Sequence, residues 1–445
     1  MVVGRDAGPR GGAPRHARRG WRVFAVRCNH ALLRRGGRMD PNPPSIESRA
    51  SWAAAVAATA ILSVSFGAPQ LLVVALVPIA ADLGSARAVP SLAASVAYFG
   101  AGAGGILMGW IAGRTSARLT ALLGGAMLAA GCALASGGTA WQLVLGYGLL
   151  IGLLGNGALY APLVTHVSHW FDRRRGTALA LVSSGQYVAG ALWPPIFERA
   201  VAAWGWQRTM LGFGVLAAAT ILPLAALLRP APALPAPGSA AAGPAPGAPV
   251  LGLPPNLALL LLAVASFLCC IPMAMPAAHL VAFCGDLGIG ARTGALMLSL
   301  LLAMAFVARQ AWGWVSDRIG GLNTVLAGNL FQAAGMAAFL ATQAEAGLFL
   351  VAAVFGLGFS GIIPAYVLAV RELFPAREAA WRVPCLLFLS LSGMAAGAWL
   401  AGWLYDGFGS YAVAWQLGIG VNLLALVILG GLALRQGGRM RMAAA

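Results

Sequence analysis

Long apolar runs recur along nearly the whole chain, separated by short polar segments. From Ser51 onward there are twelve, at about 54–81, 90–112, 119–137, 141–164, 177–198, 209–228, 255–283, 293–316, 322–342, 347–370, 383–404 and 411–434. Each approaches the roughly 20 residues a helix needs to cross the hydrocarbon of a bilayer. The pattern predicts an all-α membrane protein of twelve transmembrane helices. Between the sixth and seventh runs, residues 229–253 form a Pro/Ala/Gly linker, "RPAPALPAPGSAAAGPAPGAP", with no helical stripe. It separates a six-helix bundle at 51–228 from a second at 254–434, followed by a tail at 435–445.

Residues 1–50 break the pattern. They are rich in Arg, Gly and Pro and are expected to be disordered. They lack the apolar core and cleavage site of a signal peptide. Met39, which opens "MDPNPPSIESRA", offers an alternative start.

Composition agrees with the membrane reading: 60% of the residues are apolar and 9% charged, where a soluble protein carries about 25% charged residues. The formal charge of +17 invites a nucleic-acid partner. Yet all 29 basic residues are arginine, 11 of them lie in residues 1–50, and most others sit in short loops. A basic cytoplasmic face explains this distribution better, and no nucleic-acid partner is expected. With both termini inside, the inner loops and tail hold thirteen arginines, among them Arg114, Arg118, Arg318, Arg371 and Arg435. The outer loops hold four, Arg87, Arg199, Arg208 and Arg292. The absence of lysine and the wealth of Ala and Gly point to a GC-rich genome, hence a bacterial inner membrane with cytoplasmic termini.

The two halves repeat. "GWIAGR" (Gly109–Arg114) recurs as "GWVSDR" (Gly313–Arg318), and "WFDRR" (Trp170–Arg174) recurs loosely as "LFPAR" (Leu373–Arg377). Each pair falls at the same place in its half, after the second and fourth spans. Parallel six-span repeats joined by a linker are the major facilitator arrangement. From about residue 52 to 434 the chain resembles that superfamily, whose G-x-x-x-D-R-x-x-R-R loop braces the inward-closed gate. The resemblance implies gating roles for Arg114, Arg118, Asp317 and Arg318, although Gly113 replaces the first acidic residue.

Three stretches, "VSHWFDRRRGTALALVSSGQYVAGALWPP", "HLVAFCGDLGIG" and "FVARQAWGWVSDRIG", resemble the monocarboxylate transporter and oxalate–formate antiporter branch. Its members move small organic anions, with protons or in exchange for another anion. In that branch an eighth-span arginine engages the substrate carboxylate, and Arg309 falls on it. Ala305 and Gln70 stand where animal monocarboxylate carriers have an aspartate and a lysine. The branch's coupling mechanism therefore does not carry over.

The residues themselves single out Arg309. An arginine near a helix centre costs roughly 2.5–3.5 kcal/mol on insertion scales. Arg309 lies eight residues before Asp317, roughly 12 Å into the membrane. Side chains lean toward their helix N-terminus, so it is expected to point toward the midplane rather than snorkel inward. No Asp or Glu lies deep in a span to neutralise it, and a substrate carboxylate would accept its planar fork. Gln70, Asn156, Tyr160, Gln186, Tyr187 and Tyr366 are candidates to shape the cavity, with helix-to-helix bonding the competing role. In the family, spans 1, 4, 7 and 10 line the path, which favours Gln70, Tyr160, His279 and Tyr366. His279 is also the candidate proton carrier, or else a hydrogen-bonded packing residue.

Other chemistry is not expected. "GAGAGG" at Gly100–Gly105 matches G-x-G-x-x-G but lies inside an apolar span with no strand before it, so close helix packing is the reading. His166 and His169 have no third ligand for a metal. The six cysteines show no metal spacing and no disulfide framework. No phosphate loop or nucleophile triad stands out, so neither an enzyme nor a cofactor is expected. The chain reads as a secondary carrier of a small organic anion, a monocarboxylate, in the bilayer, coupled by proton symport or anion exchange. A drug or organic-cation exporter on the same scaffold is the alternative, and a non-transporting membrane receptor the alternative of another class.

Overall fold

The computed structural model describes residues 47–171, 174–230 and 249–444. The disorder expected for residues 1–50 and for most of the linker thus lies outside the described residues. Eleven of the described helices are long and apolar enough to cross a membrane. They are Arg49–Val74, Ala88–Arg114, Ala117–Ala135, Ala140–Ser168, Trp206–Ala226, Pro255–Asp286, Ala291–Ile319, Gly321–Ala341, Glu345–Leu373, Trp381–Phe408 and Ala412–Gln436. They match the first to fourth and sixth to twelfth expected spans. The fifth is divided at Ser184 into Arg175–Ser183 and Gly185–Trp204. Its second piece carries Pro194, Pro195, Glu198 and Arg199, which dilute its apolar character.

Proline places several of the breaks. A proline has no N–H and its ring crowds the carbonyl four residues back. In the first span Pro69 and Pro78 face the carbonyls of Ser65 and Val74, and the helix breaks at Phe66 and Ala75, one residue later each time. In the tenth, Pro364 faces Ser360, and the break falls at Ser360–Gly361 between Glu345–Phe359 and Ile362–Leu373. The fourth span widens into a π-helical stretch at Gly146–Asn156, ahead of Pro162. Discontinuous helices of this kind are tolerated at membrane depth where they are buried in protein or line a cavity.

Each half has its own core. Tyr147, Leu159, Phe213 and Ile221 belong to the first, and Met275, Phe339, Phe355 and Trp415 to the second. Small residues let the helices of the first half close tightly. A Cβ on Gly100 would overlap the carbonyl of Gly148, and one on Gly104 the carbonyl of Leu153. "GAGAGG" is therefore a packing face between the second and fourth spans. Outward-facing tryptophans lie near both membrane ends: Trp141, Trp204 and Trp403 toward one, Trp110, Trp314 and Trp381 toward the other. Such belts sit at the two headgroup layers.

The halves meet through the second span on the eleventh and the fifth on the eighth. Phe99 meets Phe388 edge to face at 5.3 Å, near the middle of the second span. From there the contact continues to Gly402, where an added Cβ would meet Ser91 and the carbonyl of Arg87. Toward the other end, Gly109 and Gly113 have open space beside them. The described contacts of the second span with the eleventh thus run from its middle to its Arg87 end.

Gly104→Ala is expected to destabilise the protein by about 1–3 kcal/mol through overpacking. Gly109→Ala, where a Cβ would meet nothing within 4 Å, should cost nothing. Thermal unfolding midpoints in detergent check both.

Candidate functional site

Three buried or half-buried arginines can be compared. Arg87 grips Asp286 with both ends of its guanidinium, Nη2 to Oδ1 at 2.6 Å and Nη1 to Oδ2 at 2.7 Å. Arg382 donates to Glu378 at 2.7 Å from Nη2 and 3.1 Å from Nε, and to Asn256 at 3.2 Å. Arg309 is 8% exposed, and its Nη1 is buried without a hydrogen-bond partner among the described residues. No described carboxylate pairs with it. Its Cζ lies 5.2 Å from the centroid of the Tyr187 ring. Tyr187 belongs to the fifth span and Arg309 to the eighth, so this contact crosses between the halves.

Arg309 stands ten residues before the end of Ala291–Ile319, roughly 15 Å along the helix axis. An intramembrane cation without a fixed counter-ion is costly. Buried polar groups normally find hydrogen-bond partners. Gln70 shares the condition: its Oε1 is buried and unpartnered. It follows Pro69 in the broken first span. In the fourth span, Asn156 closes the π-helical stretch and accepts a hydrogen bond from Ser65 Oγ. Tyr160, one turn on, meets Phe66 edge to face at 5.9 Å. Phe66 is the residue at which the first span breaks. Gln186 is partly buried beside Tyr187, with no described contact to Arg309.

Two of the expected lining residues are buried within the second half. Tyr366 is fully buried inside the second half, its hydroxyl unpartnered. His279 is fully buried too, with Nδ1 3.0 Å from Tyr411 Oη and Nε2 2.8 Å from the carbonyl of Ala398. Neither is joined to Arg309 by a described contact. The gating residues expected from the loop motifs are exposed. Arg114 lies over Trp110 at 3.6 Å and Arg318 over Trp314 at 3.3 Å. The i, i+4 spacing of Trp and Arg in both repeats stacks each cation on its own helix. No described hydrogen bond or ion pair carries Arg114, Arg118, Asp317 or Arg318 to the opposite half.

The bonds that do join the halves lie at the other end, where the sequence reading assigned no role. Besides Asp286, Arg87 Nη1 donates to Tyr411 Oη at 3.1 Å, and the guanidinium lies 3.8 Å over the Tyr405 ring. Asp406 accepts the backbone N–H groups of Arg87 at 2.9 Å and Ala88 at 2.7 Å. The helix Ala88–Arg114 has no side-chain cap of its own at Arg87. Asp406, from the opposite half, supplies it and places a negative charge at the positive end of the helix dipole. Five residues thus form an interhalf latch: Arg87, Asp286, Tyr405, Asp406 and Tyr411. One signal was available in the sequence, since Arg87, Asp286 and Asp406 all fall at ends of spans on the same expected side.

No group of three or more His, Cys, Asp or Glu placed to hold a metal occurs among the described residues. His166 Nε2 instead accepts a hydrogen bond from Trp170 Nε1 at 3.2 Å. Cys132, Cys269, Cys270 and Cys284 are buried free thiols.

This architecture has known counterparts. The sequence profile of the Major Facilitator Superfamily matches residues 54–380. The chain belongs to that superfamily. It is an integral membrane protein. Monocarboxylate transporter 13 of Bos taurus is 26% identical over 350 residues, 76% of this chain and 77% of that protein. The MFS-type transporter pynF of Aspergillus niger is 28% identical over 185 residues, 42% of this chain and only 41% of that protein. The likeness to monocarboxylate transporters read from the three motifs is thus matched by named relatives. Among solved structures, a bacterial homologue of the human lysosomal transporter Spinster, inward-facing and unoccupied, superposes with a TM-score of 0.66. The two are 15% identical, and the match covers 87% of this chain and 97% of that one. The nucleoside transporter NupG gives a TM-score of 0.66 at 12% identity, covering 85% and 99%. These structures establish the fold.

The latch is testable in the protein as it stands. Arg87→Ala or Asp406→Ala should raise several-fold the rate at which a membrane-impermeant maleimide, applied from the Arg87 side, labels a cysteine introduced by Ala94→Cys. An unchanged rate would show that these bonds do not hold that end shut.

Proposed function

We propose that this protein carries a small organic anion, a monocarboxylate, by alternating access, as a proton symporter or an anion exchanger. One observation carries the reading: Arg309 is a buried cation with an unfilled donor and no described carboxylate, while Arg87 and Arg382 have one each. A carboxylate on the cargo supplies the missing charge and can accept two parallel N–H bonds. A single cation suits a single carboxylate better than a dicarboxylate. The named relatives include monocarboxylate transporters, in agreement with this choice. Gln70, Tyr160, Gln186 and Tyr187 are assigned to the pocket around the anion, whereas His279 and Tyr366 make no described contact with Arg309.

In this reading the arginine-rich ends are cytoplasmic and the membrane is a bacterial inner membrane. The Arg87 latch then closes the outer side, and the described state opens inward. Closing the inner side is the work assigned to Arg114, Arg118, Asp317 and Arg318. An exporter of organic cations would want a buried acid at the centre, whereas the described acids lie near loops.

Uptake into proteoliposomes across a panel of short monocarboxylates tests the reading. Arg309→Ala should lower the initial rate at least tenfold, an effect of about 1.4 kcal/mol or more. Arg309→Lys keeps the charge but loses the planar fork, and should fall between. Both variants transporting like the parent, or uptake of cations but not acids, would overturn the assignment.

A further inference from the structure

His279 sits where a membrane histidine has little reason to be unless both ring nitrogens are used, and both are. The Ala398 carbonyl accepts only, so the ring nitrogen 2.8 Å from it, Nε2, carries a hydrogen. In the neutral ring Nδ1 is then an acceptor, and Tyr411 donates to it across 3.0 Å. The same Tyr411 oxygen accepts from Arg87 Nη1 at 3.1 Å. A row of hydrogen bonds with a fixed sense therefore runs from the latch cation to an imidazole inside the seventh span. His279 lies seven residues before Asp286, roughly 10 Å down the helix from the latch.

We propose that His279 Nδ1 is a proton-binding site and that a proton arriving there loosens the Arg87 latch. The proposal goes beyond the carboxylate-transport reading above and can stand or fall apart from it. The step is simple in its chemistry. A proton from water on the Arg87 side adds to the Nδ1 lone pair, and no covalent bond breaks. Nδ1 then donates, so the Tyr411 O–H must turn away from it toward another acceptor. The hydroxyl oxygen is left between two cations, the imidazolium and Arg87. Both changes weaken the bonds by which Tyr411 and Arg87 hold the halves together.

The charged and titratable surroundings of the ring come from four elements. Arg87 precedes the second span, and Tyr98 on that span packs beside Ala278 and Ala398. The eleventh span brings Tyr405 and Asp406, the start of the twelfth brings Tyr411, and the histidine's own helix brings Cys284 and Asp286. Histidine alone among these changes charge near neutral pH at its ordinary value. His279 and Arg309 stand in different parts of the bundle, one on the latch and one on the Tyr187 contact between the fifth and eighth spans.

The test reads conformation and needs no transported substrate. Spin labels are placed through Ala81→Cys and Ser410→Cys, with Cys28→Ser and Cys385→Ser, in protein reconstituted in nanodiscs. The distance between them is measured from about pH 8 to about pH 5, across the ordinary histidine range. The parent should shift toward longer distances as the pH falls. His279→Gln, which cannot take up a proton, should give one distribution at all pH values. Tyr411→Phe, which keeps the histidine but cuts its link to Arg87, should also lose the response. No shift in the parent, or a parental shift in either variant, overturns the proposal. Arg309-dependent monocarboxylate uptake without the shift would sink the proton site alone. The shift without such uptake would sink the carboxylate reading and leave the proton site standing.

Discussion

A hydrocarbon medium offers no water to complete an unpaired charge or hydrogen bond, and this constraint shapes the whole molecule. It forces the backbone into helices whose bonds close internally. It leaves no hydrophobic drive between helices, so packing rests on small residues such as Gly100 and Gly104 that bring backbones into contact. It also makes any unmatched cation conspicuous. Arg309 stands out because the same bundle pairs Arg87 and Arg382 with carboxylates at 2.6 and 2.7 Å and leaves Arg309 without one.

The proline-directed breaks extend this economy to motion. A spanning helix cannot bend freely when each backbone group must keep a partner. Breaks at Phe66, Ala75 and Ser360–Gly361 place flexible points in spans of both halves. The π-helical stretch in the fourth span gives a further departure from regular winding next to Asn156 and Tyr160. Irregular segments and candidate cavity residues therefore occur together, as expected where backbone irregularity is tolerated only away from lipid.

Much of this was legible in the sequence, because bilayer thickness converts directly into run length. The fifth span was the exception for which apolarity was a weaker guide, because Pro194, Pro195, Glu198 and Arg199 dilute it. The spacing of Arg309 to Asp317 sets its place along the helix, and its burial in the bundle agrees with that place. The partners of His279 did not, because Ala398 and Tyr411 lie more than a hundred positions away and no local pattern announces such a meeting. The same holds for the latch. Asp406 caps a helix it does not belong to, across 318 positions of chain. Local reading finds caps within a few residues, so a borrowed cap escapes it. The repeated Gly-Trp motif is legible as a repeat, but its i, i+4 cation–π pairs are not singled out by sequence, because the same arginines also fit a set of loop charges.

Those paired rings have a bearing on the lipid itself. Trp110–Arg114 and Trp314–Arg318 are exposed at matching places in the two halves, each a flat indole faced by a guanidinium. Such a pair floats at the headgroup level, with its ring toward the acyl chains and its charge toward phosphate. In the alternating access proposed above, both floats would be dragged through that layer. Anionic lipids would resist the displacement more than zwitterionic ones, so the surrounding leaflet becomes a silent party to the balance between open and shut.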